Sequence, residues 1–246
     1  MKKIYKILIL LLLIVITLIV SFFTTTDNIA IFGNNTIIYY KDNKISEIKH
    51  VKRINPRYNF EKFNIYNGEK FEKGYINFIK GKDLQYADVY DSNYTKIYIN
   101  PLIAYKGYLN FKIIKSSSME EYSNDNINFI QKILIENNLT QDYTSLTKSV
   151  ANDIIVYDVN NFALATDSYY RIMILVDGKG NYTIIDNSSL TQYELLNVKH
   201  YEFYGLVDID LDNEYEIVLS SHNGDDSPIY YHFYNLDSNG NIEEIK

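Results

Sequence analysis

The chain has no cysteine and no tryptophan among its 246 residues. The lack of cysteine excludes thiol catalysis, disulfide bonds, thiolate metal sites and a lipid anchor on cysteine. An exported chain of this composition gains no stability from oxidation, so its stability has to come from apolar burial, with a bound metal as a further source. The lack of tryptophan weakens the case for the usual sugar-binding platform, although tyrosine, which occurs 25 times, can also stack on a ligand.

Residues Ile7–Phe23 form an apolar run without a charge, directly after a segment that holds three lysines. A helix needs about 20 apolar residues to span a bilayer, within a range of about 17 to 25, whereas the core of a cleaved signal peptide has about 7 to 15. No A-x-A cleavage pattern follows the run. The run therefore predicts a retained single-pass anchor, and the alternative is a cleaved signal peptide with a secreted product. The lysines before it and Asp27 after it favour an orientation with the C-terminal part outside the cell membrane.

Charge is unevenly spread along the chain. Residues 41–82 hold 11 Lys and Arg against 5 Asp and Glu, whereas residues 153–246 hold 4 against 17. A basic stretch near a membrane attracts anionic polymers and lipid head groups. The alternative is that the charges of the two regions neutralise each other within the fold or stay solvated. The net charge of −7 and the predicted export disfavour a nucleic-acid partner.

Apolar runs rich in Tyr and Ile alternate with turns of Asp, Asn and Gly, a pattern typical of antiparallel strands. The pattern predicts strand pairs at 36–40 with 44–48, 85–90 with 95–99, and 170–176 with 182–186, and a strand at 230–236 before a turn at 237–241. One segment differs, because Ile127, Ile130 and Leu134 recur at helical spacing. Polar residues 123–126 are expected to cap this helix, and Asn137 and Asn138 to end it. The predicted fold class is mainly β, of the α+β kind: an N-terminal transmembrane helix followed by an antiparallel β-rich ectodomain with one helix.

The part after the anchor has room for one sizeable core or two small ones, since domains commonly have about 100 to 200 residues. The predicted segments are a cytoplasmic tail at 1–6, the anchor at 7–23, a juxtamembrane segment at 24–56, a basic β-rich region at 57–115, a helical connection at 116–148 and an acidic β-rich region at 149–246.

The acidic loop at residues 208–216, with the sequence DIDLDNEYE, is the most informative stretch. Aspartates at alternate positions of a curled loop can direct their carboxylates at one centre, and calcium takes about 6 to 8 hard oxygen ligands. Position 6 of such a loop, here Asn213, needs a positive φ. After glycine, asparagine is the residue type that tolerates a positive φ best. An EF-hand is excluded because its position 12 requires glutamate, and Leu219 stands there. The candidate metal ligands are the five acidic residues of the loop, with Glu214 contributing its backbone carbonyl: Asp208, Asp210, Asp212, Glu214 and Glu216.

This loop, D-x-D-x-D-N-x-x-E, resembles the D-x-D-x-D-G-x-x-D loop of the FG-GAP and VCBS repeats of integrin-type propellers and many secreted bacterial proteins. The resemblance covers Tyr201–Ile245 and implies a loop that joins two strands of a sheet and holds a structural calcium ion. Asn213 stands where the family has Gly, and Glu216 where it has Asp, so the longer side chain at position 9 has to fold back or bind through both oxygens. A propeller would need several such blades, and the sequence holds one clear loop. The alternative is a solvated acidic turn without a metal.

No catalytic centre is recognisable in the sequence. Residues 222–228 mix histidine with carboxylates, and His232 follows, but no H-E-x-x-H spacing accompanies them, so a surface loop is the simpler interpretation. A G-x-S-x-G nucleophile motif is also absent. Two functions remain: a non-catalytic surface protein whose ectodomain binds a wall polymer, glycan or protein, and an exported hydrolase with an active site of dispersed carboxylates. We expect the first, in which the protein is not an enzyme.

Overall fold

The computed structural model describes residues 28–42, 44–81, 85–107, 109, 111–139, 143–163, 168–191, 199–223, 229–236 and 241–245. The predicted anchor at 7–23 lies outside these residues and stays a prediction. Across the described part of the chain, no helix combines the length and the apolar character needed to cross a membrane.

Eight strands form a sheet that we call the N-terminal sheet: β1 (Asn28–Phe32), β2 (Thr36–Lys41), β3 (Lys44–His50), β4 (Lys62–Tyr66), β5 (Phe71–Lys80), β6 (Gln85–Asp91), β7 (Lys96–Ile97) and β8 (Ile103–Lys106). Neighbouring strands are antiparallel, in the order β3-β2-β1-β8-β4-β5-β6-β7. The hairpins predicted around residues 41–43 and 91–94 are confirmed as β2–β3 and β6–β7. Three strands of this sheet, β1 to β3, come from the segment predicted to be juxtamembrane.

A second sheet carries a helix on one face, and we call it the helix-backed sheet. It holds five antiparallel strands in chain order: β10 (Ser117–Glu120), β11 (Ser145–Ala151), β12 (Ile154–Ala163), β13 (Ser168–Val176) and β14 (Tyr182–Thr191). The predicted helix is confirmed as α1 (Asn124–Glu136), which packs Ile130, Ile133 and Leu134 against the sheet. Ser123 holds the N-cap position, but its side chain makes no capping hydrogen bond. Glu121 instead accepts hydrogen bonds from the Ser123 N–H and the Asn126 amide, and so fixes the start of the helix.

The remaining strands form the middle sheet: β9 (Ile113–Lys115), β15 (Lys199–Val207), β16 (Glu216–Asn223), β17 (Tyr230–Leu236) and β18 (Ile242–Glu244). They are antiparallel in the order β18-β17-β16-β15-β9. Strand β9 comes from the predicted basic region, yet it pairs with β15 of the acidic region.

The middle sheet lies between the other two. Phe32 and Ile38 of the N-terminal sheet share one core with Val218 and Phe233, and a second core joins Met173 and Leu175 to Phe203 and Leu219. Because both faces are covered, residues 216–221 of β16 are all buried, the polar Glu216, Ser220 and Ser221 as well as the apolar residues 217–219. The mainly β fold is therefore confirmed for the described residues.

Candidate metal centre

The acidic loop joins two strands of the middle sheet. Strand β15 ends at Val207 and β16 begins at Glu216, and these two residues are paired across the antiparallel ladder. Asp208 follows directly, so the first and last carboxylates of the loop lie at the same end of the sheet. The resemblance drawn from the sequence implies a loop of this placement.

Hydrogen bonds within the loop curl its backbone. Asp210 Oδ1 accepts the Asp212 N–H at 3.3 Å, and Asp212 Oδ1 accepts the Glu214 N–H at 2.7 Å. Leu211 and Asn213 have φ of 67° and 73°. The second value is the left-handed conformation that the loop needs at position 6, and asparagine adopts it more readily than most residues.

Three of the five predicted ligands meet at one point. Asp208, Asp210 and Glu216 each offer a carboxylate oxygen, and these oxygens lie within 4.8 Å of one another. Asp208 and Glu216 are each only 3% exposed, while Asp210 is half-buried. Among the ion pairs of the described residues, none involves these three carboxylates. The group is therefore a buried cluster of one sign of charge that can hold a metal ion.

The hydrogen bonds around the cluster leave one oxygen without a partner. Glu216 folds back so that its Oε2 accepts the Ile209 N–H at 2.7 Å. The Asp208 N–H donates to the Lys112 carbonyl at 3.1 Å. Asp208 Oδ1, however, is buried and accepts no hydrogen bond. A buried polar atom without a partner costs about 1 to 3 kcal/mol, and more when the group is charged.

The electrostatics of the cluster disfavour three negative charges. Burial raises the pKa of the Glu216 carboxyl, the hydrogen bond from Ile209 opposes this rise, and the charges of Asp210 and Asp212 add to it, so that the pKa is about 7. Burial, followed by the charge of Asp212, also raises the pKa of Asp210. A cation bound among these oxygens would supply the missing positive charge.

Asp212 and Glu214 take a different position from the other three. Their side chains are exposed, and they line a cleft of 340 Å³ that also borders Asp210 and Glu216 of the cluster. Asn235 and Glu243, from strands β17 and β18, line the same cleft. The cleft gives a hydrated cation a route to the two cluster carboxylates that border it.

Two residues outside the predicted site hold the loop in place. The Tyr40 hydroxyl, on β2 of the N-terminal sheet, donates to the Ile209 carbonyl at 2.8 Å. Lys112 Nζ donates to Asn213 Oδ1 at 2.8 Å. Both residues lie more than 100 positions from their partners in the chain, so no local pattern in the sequence signals them.

The middle sheet also holds a set of three hydrogen-bonded side chains that the sequence did not reveal. His232 Nε2 lies 2.8 Å from Ser221 Oγ, and His232 Nδ1 lies 2.9 Å from Glu244 Oε1. These are the residue types of a nucleophile, a base and an orienting acid. Ser221 is fully buried, however, so a substrate has no access to its hydroxyl. Residues 224–228 of the predicted histidine and carboxylate cluster lie outside the described residues.

A scan of protein-family models, a search of curated proteins and a search of solved structures find no match to this chain. The resemblance to FG-GAP and VCBS repeats thus rests on the residues of the acidic loop alone.

Proposed function

We propose that this chain is a surface protein, held at the cell membrane by its N-terminal apolar helix, with an outer β-rich part that one calcium ion stabilises and that binds a cell-surface ligand. The observation that carries the calcium site is Asp208 Oδ1, a buried oxygen without a hydrogen bond in a group of three carboxylates. A cation at that point would give this oxygen a partner and would neutralise the mutual repulsion of the group.

The chemistry of the donors favours calcium over other metals. Carboxylate oxygens suit hard cations such as calcium and magnesium. Magnesium demands a nearly ideal octahedron, whereas calcium accepts irregular shells of about 6 to 8 oxygens. Asp208, Asp210 and Glu216 would supply part of that shell, and loop carbonyls, including that of Glu214, and water would complete it. We expect a Kd on the order of 10⁻⁴ to 10⁻³ M, as in extracellular modules.

The proposed location rests on the apolar run at 7–23 and the lysines before it. The proposed ligand is a wall polymer, a glycan or a protein, and the membrane is a partner through the helix alone. Fractionation of cells that express the full chain tests the anchor. We expect the protein in the membrane fraction, and its release into the medium would contradict a retained anchor.

The hydrolase alternative has less support from the geometry. The carboxylates that come together are within 4.8 Å of one another and lack a counter-charge, an arrangement suited to a cation. The nucleophile of the Ser221–His232–Glu244 chain is buried. A binding protein is therefore the function we put forward.

Terbium titration tests the calcium site, because terbium takes the same oxygen ligands and its emission is sensitised by nearby tyrosines such as Tyr215. We expect saturable emission that calcium displaces, and its loss in Asp208→Asn and in Asp210→Ala. Asp42→Asn is the matched control, since it removes a carboxylate from an exposed turn with φ of 54°. Emission that persists unchanged in both loop variants would refute the site.

A further inference from the structure

A cleft of 470 Å³ lies on the side of the molecule where the N-terminal and middle sheets meet. Its walls come from the β1–β2 turn, from β6, from the segment that includes β7, and from the beginning of β17. Sites for small ligands commonly have volumes of about 300 to 1,000 Å³. The size and the mixed walls make this cleft a candidate for ligand binding, separate from the acidic loop.

Two tyrosines on the walls of the cleft are unusually accessible. Tyr98 is 89% exposed and Tyr86 is 57% exposed. The two rings contribute little to the core, although each carries a large apolar face. Tyrosine combines such a face with a hydroxyl, so it suits a ligand that is apolar on one side and hydrated on the other.

The polar groups of the cleft are fixed by the fold. Asn35, which is 4% exposed, donates its amide nitrogen to the Val51 and Lys52 carbonyls at 2.8 Å and 3.4 Å. Asn35 lines the cleft, and its oxygen accepts no hydrogen bond from the described residues. Asp88 and Lys96 form an ion pair at 2.6 Å, which cancels their charges and still offers an acceptor and a donor.

We propose that this cleft binds a neutral oligosaccharide built of pyranose rings. A pyranose presents a face of C–H groups that stacks on tyrosine, and hydroxyls around its rim that both donate and accept hydrogen bonds. A phosphorylated or anionic ligand would need an unpaired cation, and the lysine of this cleft is paired with Asp88. A peptide that added to the sheet edge would find only the two residues of β7. This inference rests on the proposed function, because it names the site and the chemical class of the surface ligand.

The test uses the full chain in detergent with calcium, applied to an array of neutral oligosaccharides that includes chitohexaose and cellohexaose. The strongest binder is then titrated calorimetrically against three variants. We expect Tyr98→Ala to weaken binding about fivefold to tenfold, because a stacked ring contributes about 1 kcal/mol, and Tyr98→Phe to keep most of the affinity. Tyr122→Ala is the matched control, since Tyr122 is 76% exposed and lies outside the cleft.

The outcomes separate the two proposals. The proposal for the cleft would be overturned if no neutral oligosaccharide binds, or if Tyr98→Ala and Tyr122→Ala lose equal affinity. Neither result would affect the terbium test of the calcium site. Binding that depends on Tyr98 in a protein that binds no terbium would support the cleft and refute the calcium site. Polyglycerol phosphate and peptides are tested beside the array, and preferential binding of either would also overturn the proposal of a neutral sugar.

Discussion

Two of the places where the described residues bury charge differ in where the opposite charge comes from. Arg171 and Asp158, on neighbouring strands of the helix-backed sheet, form a two-pronged ion pair in which Arg171 Nε and Nη2 lie 2.8 Å and 2.5 Å from the Asp158 oxygens. Asp208, Asp210 and Glu216 carry one sign of charge and have no cationic partner among the described residues. The charges of the first site balance each other within the chain, whereas in our proposal those of the second are balanced by an ion from solution.

The largest expected effect comes from breaking the pair that is complete. Arg171→Met keeps most of the side-chain volume but leaves Asp158 without its partner. We expect a loss of about 3 kcal/mol in unfolding free energy, at the lower end for a broken buried pair because the Asp158 side chain is 24% exposed. Chemical denaturation with and without calcium should give the same loss. The double variant Arg171→Met/Asp158→Leu should recover part of it, and a loss as large as that of the single variant would contradict this account.

Calcium removal is the corresponding change at the acidic loop. With a Kd on the order of 10⁻⁴ to 10⁻³ M, 10 mM calcium should raise the unfolding free energy by about 1.4 to 2.7 kcal/mol over a chelated sample. The Arg171→Met variant should keep this increment, since its charges lie in another sheet, and Asp208→Asn should lose it. An increment of the same size in Asp208→Asn would place the ion elsewhere.

In the protein without calcium, a change in pH should alter the unfolding free energy through the acidic loop. The raised pKa of Glu216, about 7, means that the folded chain holds a proton that the unfolded chain, with a pKa of about 4.3, has released. The unfolding free energy therefore falls as pH rises from about 4.3 to 7. We expect a melting temperature several degrees higher at pH 6 than at pH 7.5 in the chelated wild type.

Glu216→Gln is the control for this pH effect, because it removes the titrating group and leaves the histidines in place. The lowered pKa values of Glu121 and Asp177 place their titration below this window. If the melting temperature differs between the two pH values as much in Glu216→Gln as in the wild type, the effect belongs to other groups. With calcium present the trend should weaken, since protons compete with the metal for the same oxygens.

The smallest expected effect concerns the contact that ties the loop to the N-terminal sheet. Tyr40→Phe removes the hydrogen bond to the Ile209 carbonyl and should cost about 1 kcal/mol, or about 2 to 4 °C for a chain of this size. Tyr105→Phe is the matched control, since Tyr105 packs against the same core and makes no hydrogen bond among the described residues. Equal melting temperatures for the two variants would show that the contact adds no stability.

Local patterns in the sequence predicted many of the elements of this fold. Turn residues placed the β2–β3 and β6–β7 hairpins, and the spacing of Ile127, Ile130 and Leu134 placed α1. The order of the strands in the sheets could not be predicted from the sequence. Pairings such as β1 with β8 and β9 with β15 join distant segments, and their contacts leave no periodic pattern in the sequence.

The candidate site was likewise predicted from the sequence only in part. Alternate aspartates located the loop, but spacing alone does not show that Asp208 and Glu216 are buried while Asp212 faces solvent. That difference arises because the ends of the loop continue into a sheet that is covered on both faces, whereas its tip extends beyond the sheet. Tyr40 and Lys112 reach the loop from other parts of the chain, so only the folded structure reveals them.

The middle sheet also sets the order in which the molecule can assemble. Phe32 and the aromatic face around it in the N-terminal sheet pack against Val218, Tyr231 and Phe233. During synthesis that face lacks its cover from the middle sheet until residues 199–245 have emerged, so a half-finished chain exposes aromatic surface that favours aggregation. Pairing of β9 with β15 must likewise wait for the whole helix-backed sheet to be made. Folding is therefore expected to be slow, because contacts between distant segments close last.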